Sequence, residues 1–151
     1  MMDAAERASL LERALDAEIP DSRTWAREAV AGSWCVALPS PVAPDVRRLE
    51  IELRPDGDVD VRFHHGLAGR GAAEAHCLVD DGREAEVFRE VARFVADLLA
   101  ERVALAFRGG WFRGGREFIP TTELTPERRR PLEHVVSWRG TYDWSAASPG
   151  P

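Results

Sequence analysis

The feature that most constrains the fold is a pair of alternating segments joined by a tight turn, between Val46 and His65. The apolar positions of the two segments are Leu49, Ile51, Leu53, Val59, Val61 and Phe63, each separated from the next by a charged residue, apart from the turn. This period of two is typical of strands with one buried face. Pro55-Asp56-Gly57 suits a three-residue hairpin loop, because proline favours the first turn position and glycine the left-handed one. The pattern predicts that Leu53 pairs with Val59 and that Gly57 has a positive φ.

Hydrophobic periodicity and capping residues predict the remaining elements. The predicted helices are 3–18, capped by Asp3 and Glu6; a short helix from Asp21 or Ser22 to Gly32; 83–102; and a short helix from Thr125 to Pro131. The predicted strands are 34–38, 73–80, 103–107, 112–119 and 136–144, the last kinked or bulged at Gly140. In the long helix we expect Val91, Phe94 and Leu98 to be buried against a sheet.

The order α-α-β-β-β-β-α-β-β-(short α)-β indicates an α+β fold. Most connections are too short for parallel crossovers, so we expect a mostly antiparallel sheet with helices packed on one face. A chain of 151 residues is of single-domain length. We therefore predict one αβ domain over residues 1–145 and a disordered tail over residues 146–151.

Composition excludes several kinds of chemistry. All 20 basic residues are arginine, and the chain has no lysine, asparagine or glutamine. Without lysine, a Walker A phosphate loop and Schiff-base catalysis are excluded. The two cysteines lack CxxC spacing, and the N-terminus lacks the basic start and apolar centre of a signal peptide. With no long apolar run, the chain is expected to be a cytoplasmic protein that does not enter a membrane.

The histidines are the first candidates for chemistry. His64, His65 and His76 could serve a metal-dependent or small-ligand enzyme, with His134 and Cys77 as further ligands. Adjacent strand residues point to opposite faces, so neither His64 with His65 nor His76 with Cys77 can readily bind one ion. No HxH, CxxC or HExxH spacing is present, and no nucleophile motif accompanies Ser33 or Ser137. We therefore expect no metal, no cofactor and no enzymatic activity.

Carboxylates at the hairpin are the second candidates. The predicted register places Glu52 opposite Asp60, and Asp56, Asp58 and Asp60 form a dense acidic stretch at the hairpin tip. These side chains are expected to face water, where they either provide solubility or dock a basic partner by electrostatic steering. In the solubility interpretation, Arg54 and Arg62 neutralise them as a solvated charge ladder.

A basic and aromatic segment is the third candidate. FRGGWFRGG, residues 107–115, repeats Phe-Arg-Gly-Gly, and RGG-type segments bind single-stranded nucleic acid. The chain carries a net charge of −6, so a nucleic-acid partner is not expected. Tryptophan and arginine are enriched at protein-binding hot spots, which makes Trp111, Arg113 and Arg116 candidate contacts for a protein.

The element order over about residues 1–119 resembles that of class I type III secretion chaperones and YbjN-like proteins. A small, acidic αβ domain is also similar to immunity proteins of bacterial polymorphic toxin systems. These resemblances imply a non-catalytic protein-binding domain, either an immunity-type protein that masks a toxin or a secretion-chaperone-like protein. The candidate partner-binding residues are Glu52, Asp56, Asp58, Asp60, Trp111, Arg113 and Arg116.

Overall fold

The computed structural model describes residues 2–30, 32–67, 70–108, 115–129 and 131–146. The fold is α+β, as the sequence predicts, and all pairs of strands are antiparallel. The chain divides into two compact units, Met1–Ala96 and Asp97–Pro151. Its strands form two sheets, where we expected one. Within the described ranges, no helix has the length and apolar character needed to cross a membrane.

The first unit is built on a five-stranded meander. Its elements are α1 (Ala4–Glu18), β1 (Ala26–Val30), β2 (Ser33–Pro39), β3 (Arg48–Leu53), β4 (Val59–His64), β5 (Ala73–Cys77) and α2 (Glu84–Leu99), which continues past the unit boundary. The strand order β1-β2-β3-β4-β5 follows the chain, so each strand pairs with its neighbour in sequence.

The start and end of α1 follow the sequence prediction. The Asp3 carboxylate accepts the Glu6 N–H and the Glu6 carboxylate accepts the Asp3 N–H, which completes a capping box. The helix ends before Ile19, because a residue that precedes proline is pushed out of the helical region. Leu11 and Leu15 are the fully buried positions of this helix.

The predicted second helix is wrong. Residues Pro20–Thr24 form one 3₁₀ turn, and the segment that follows is strand β1, which pairs with β2 from Ala26–Ala37 to Val30–Ser33. Gly32, expected to end a helix, instead sits with φ +85° in the turn of this hairpin. Cross-strand pairing with β2 outweighs a local helical preference in this short segment.

The β3–β4 hairpin confirms the predicted register. Leu53 pairs with Val59 and Glu52 with Asp60, and Gly57 has φ +98°. The Gly57 N–H donates to the Arg54 carbonyl, and the Arg54 N–H donates to the Asp58 carbonyl, which closes the loop. The six alternating apolar residues of this hairpin are all at most 4% exposed, so one face of the sheet is continuous with the core.

The long helix α2 is confirmed, but its buried stripe is shifted. Val91 and Leu98 are buried as predicted, at 2% and 3% exposure, whereas Phe94 is only half-buried. Phe88, which we did not single out, is fully buried. The buried face therefore runs through Phe88, Val91 and Val95, and the expected burial of Phe94 is wrong.

The second unit is a four-stranded sheet. Its elements are β6 (Val103–Arg108), β7 (Arg116–Pro120), α3 (Pro126–Arg129), β8 (Leu132–Val136) and β9 (Trp144–Ser145), with strand order β7-β6-β8-β9. Its core contains Ala104, Ala106, Leu124, Leu132 and Val135, with Ile119, Tyr142 and Trp144 packed against them. The predicted short helix after Thr125 and the predicted strand over 103–107 are confirmed. Residues 112–114 of the predicted strand 112–119 lie outside the described residues.

The predicted strand over residues 136–144 is wrong. β8 ends at Val136, the chain turns, and β9 returns to pair Val135 with Trp144. Gly140, expected to mark a kink, lies within this turn with φ +80°. The segment is a hairpin, although its alternating aromatic residues follow the sequence pattern of one continuous strand.

Candidate functional site

The candidate site is the polar face of the five-stranded sheet, defined by the cross-strand register. Glu50 pairs with Arg62, and Arg62 in turn pairs with Glu74, so these side chains share the face opposite the core. The same face continues on β2 with Cys35 and on β1 with Glu28. Its charged residues in the described strands are Glu28, Arg48, Glu50, Glu52, Asp60, Arg62, Glu74 and, when protonated, His64 and His76.

Arg62 is the centre of this face. Its guanidinium contacts four carboxylates, at 3.0 Å from Glu50, 2.6 Å from Glu52, 3.1 Å from Asp60 and 2.8 Å from Glu74. The planar fork of arginine suits such multiple pairing. Arg48 also approaches Glu50, and Arg54 approaches Asp60, each at 3.9 Å, so three guanidiniums and four carboxylates leave a formal charge of −1 around Arg62. The Arg62 hydrogen bond is the main reason that the pKa of Glu52 lies below its usual range.

Asp60 corrects our expectation that the hairpin carboxylates face water. Its side chain is 3% exposed and lies between Arg62 and the ring of His76. Glu52 is also largely covered, with 23% of its side chain exposed. Exposure cannot be inferred from alternation alone, because β5 adds Glu74 and His76 beside these residues. Asp60 is therefore a structural carboxylate and is not accessible to a partner.

His76 bridges two carboxylates of the hairpin. Its Nδ1 lies 2.5 Å from Asp60 Oδ1, and its Nε2 lies 3.3 Å from Asp58 Oδ2. The hydrogen bond to Asp60 raises the pKa of His76 above its usual value, and the charges of Asp60 and Asp58 add to this effect. The other oxygen of Asp58 accepts the Val79 N–H at 2.9 Å, so Asp58 also holds the segment that follows β5.

The hairpin tip is the exposed end of the site. Asp56 pairs with Arg54 at 3.0 Å, and roughly half of its side chain reaches solvent. Its carboxylate also accepts the Asp58 N–H, as in a turn stabilised by its own aspartate. Of the four acidic residues predicted to bind a partner, Asp56 is the most exposed.

A groove on the same face runs along β1, β2 and β3. It has a volume of about 280 Å³ and is lined by Glu28, Ser33, Cys35, Ala37, Arg48, Glu50 and Glu52. Burial raises the pKa of the Cys35 thiol to about 11, and the neighbouring carboxylates of Glu50, Glu52 and Glu28 contribute. Cys35 is therefore a thiol at neutral pH, and the thiolate needed for a cysteine nucleophile is suppressed.

The histidines proposed as an alternative site do not converge. His65 is buried, with Nε2 2.8 Å from the Gly71 carbonyl and Nδ1 accepting the Leu67 N–H, which is a structural arrangement. His64 lies on the polar face, where burial and Arg48 lower its pKa. In the part of the chain that the structure describes, no group of three or more His, Cys, Asp or Glu side chains is placed to hold a metal ion.

The structure describes one of the three aromatic and basic candidates, Arg116. Trp111 and Arg113 lie outside the described residues. Arg116 is exposed at the first position of β7. Arg116 belongs to the second unit, whereas the acidic hairpin residues belong to the first.

Two contributors to the polar face were missed by the sequence prediction. Glu74 was within a predicted strand, and the period of that strand places it on the face of Arg62 once β5 pairs with β4. Glu28 was assigned to a helix, which concealed its position beside Cys35. Extending the alternation argument to strand pairs on either side of the hairpin would have identified both.

The second unit holds a separate buried carboxylate. Glu101 Oε1 accepts the Ser137 hydroxyl at 2.7 Å, the Arg139 N–H at 2.6 Å and the Thr141 N–H at 3.3 Å. Burial raises the pKa of Glu101, but the hydrogen bonds from Thr141, Ser137 and Arg139 outweigh it and hold the pKa below its usual range. Glu101 has φ +56°, an uncommon conformation for a residue other than glycine. Its role is to organise the β8–β9 turn.

Comparison with known proteins gives no relative: no protein-family model, no curated protein and no solved structure matches the chain.

Proposed function

We propose that this chain is a non-catalytic protein-binding domain of the immunity type, which binds a basic toxin domain and masks its functional surface. The observation that carries the proposal is the carboxylate surplus of the polar face, whose described strands carry five carboxylates against the guanidiniums of Arg48 and Arg62. A surface with excess carboxylates steers basic partners and repels acidic ones. The sheet face and the exposed hairpin tip supply this surplus together.

The docking residues are the carboxylates that combine exposure with a position at the edge of the polar face. Glu28 is exposed and makes no ion pair with a described residue, Glu74 is 44% exposed, and Asp56 is 51% exposed. Asp60 and Glu52 are less exposed and are held in place by Arg62, so they add negative charge beneath the outer carboxylates. A basic side chain of the partner would therefore meet the outer carboxylates first.

The raised pKa of Cys35 supports the same surface in a second way. Three carboxylates, from Glu50, Glu52 and Glu28, act on this thiol in the direction expected of a negative local potential. The groove beside Cys35 would accommodate a cationic side chain rather than an anionic one. The proposal requires no catalytic group on this face.

The test uses the product of a gene adjacent to the one encoding this chain as the candidate partner. We expect a complex whose association slows when Glu28→Gln, Asp56→Asn and Glu74→Gln are combined, and the deficit should shrink at high salt. The matched control combines Glu18→Gln, Glu86→Gln and Glu90→Gln, which removes the same charge from α1 and α2.

Stopped-flow association rates at low and high salt measure the effect. Association that slows equally in both triple variants would reflect net charge and would remove the polar face as the docking surface. Absence of any complex with a basic neighbouring gene product would count against the immunity function itself.

A further inference from the structure

His76 makes one hydrogen bond and one ion-pair contact, and both favour its protonated state. Both of its ring nitrogens face carboxylate oxygens, Nδ1 toward Asp60 and Nε2 toward Asp58. Neutral imidazole carries one N–H and one lone pair, whereas imidazolium carries two N–H groups. In the neutral ring, one lone pair would therefore face a carboxylate oxygen at close range.

We propose that His76 is a proton-dependent clasp that fastens the end of β5 to the β3–β4 hairpin, closed as imidazolium and loosened as neutral imidazole. β5 is the terminal strand of its sheet, and β4 is its paired neighbour. His76 pairs with Asp60 next to the last pair, Val59–Cys77, and also contacts Asp58. Beyond that last pair, the Val79 N–H donates to Asp58. The clasp thus controls the segment that leads from β5 towards α2.

The charged groups around His76 favour the closed form on balance. Asp60 and Asp58 stabilise imidazolium, and Arg54 opposes it from the hairpin tip. Arg62 is committed to Asp60 on β4 and to Glu74, which shares the face of His76 on β5. Since the pKa of His76 is raised, the clasp is fully formed below the usual histidine pKa and is lost as pH rises through the raised value.

His64 provides a matched comparison on the same face. It lies on the neighbouring strand β4, with Nε2 3.5 Å from Glu50 Oε2, and its pKa is lowered by burial and by Arg48. The pKa of His76 should therefore lie above the usual histidine value, and the pKa of His64 should lie below it. This inference does not depend on the proposed protein partner.

The test is an NMR titration of both histidine rings in the full chain, combined with hydrogen exchange of the Val79 amide. We expect His76 to titrate above His64, and we expect a severalfold loss of Val79 protection as His76 loses its proton, after correction for intrinsic exchange. His76→Gln should abolish this pH dependence, and His64→Gln should preserve it.

Asp58→Asn keeps the ring and removes one carboxylate, so it remains informative if His76→Gln does not fold. It should lower the pKa of His76. The proposal is overturned if His76 titrates at or below His64, if Val79 protection is independent of pH, or if His64→Gln removes the pH dependence as completely as His76→Gln.

Discussion

Two turns of this protein, 54–58 in the first unit and 137–142 in the second, reach well-ordered conformations by different means. The first is specified locally: proline and glycine occupy favoured turn positions, and its two closing backbone hydrogen bonds lie within the loop. The second also has a local bond, from the Gly140 N–H to the Ser137 carbonyl, but it adds the carboxylate of Glu101, which is 36 residues from Ser137 in sequence. Both contain a glycine with positive φ, at Gly57 and Gly140.

The comparison shows that the conformation of a turn can be specified by residues within the turn or by a residue that is distant in sequence. A local turn retains its preference when distant residues change, whereas the 137–142 turn depends on an acceptor supplied from outside it. The donors that converge on Glu101 include two backbone N–H groups, from Arg139 and Thr141, which any residue except proline would supply. The identity of residue 101 therefore matters more to this turn than the identity of most residues within the turn.

The largest expected effect comes from removing the remote acceptor. Glu101→Ala leaves one buried hydroxyl and two partly buried N–H groups without their partner, and should lower the free energy of unfolding by about 3 kcal/mol. Urea unfolding of the full chain measures the loss. Glu123→Ala is the control, because this carboxylate of the same unit is exposed. A loss below about 1 kcal/mol would show that the turn forms without Glu101.

An intermediate effect is expected from the local turn. Gly57→Ala requires a side chain at φ +98°, with the new Cβ 2.7 Å from Arg7 Nη1, and should cost about 2 kcal/mol. Gly71→Ala is a matched control, since its φ lies outside the left-handed region and nothing lies within 4 Å of the added Cβ. Equal thermal or urea stability of the two variants would contradict a turn specified by Gly57.

The smallest effect is expected at the tip of the same turn. Asp56→Ala removes an exposed ion pair with Arg54 and one hydrogen bond to the Asp58 N–H. Exposed pairs contribute little, so the free energy of unfolding should change by about 0.5 kcal/mol or less. Urea unfolding beside the wild-type chain measures this change. A cost as large as that of Gly57→Ala would mean that side-chain contacts, and not backbone geometry, define the local turn.

The same contrast explains which parts of the fold could be predicted from sequence. The β3–β4 register, the Gly57 conformation and the capping box of α1 depend on residues within a few positions of one another, and all three predictions are confirmed. The strand predicted over 136–144 failed because a turn interrupts it, held by local bonds such as that from the Tyr142 N–H to the Ser137 hydroxyl and by Glu101 from outside the segment. The helix predicted before Gly32 failed because pairing with β2 decided the outcome.

The candidate site was predictable in its register but not in its burial. The opposition of Glu52 and Asp60 follows from the hairpin alone and is confirmed. The burial of Asp60 depends on His76 and on Arg62, whose alignment requires β5 to pair with β4. Sequence reasoning that stopped at two strands could not distinguish a carboxylate at the surface from one enclosed by a third.

The arrangement around Arg62 has an evolutionary consequence. Replacing any one of its four carboxylates leaves the guanidinium with three, whereas replacing Arg62 leaves four like charges together. The exposed carboxylates should therefore tolerate substitution one at a time, whereas Arg62 should not. A lineage built on this sheet could diversify its outer charges without first rebuilding the scaffold that displays them.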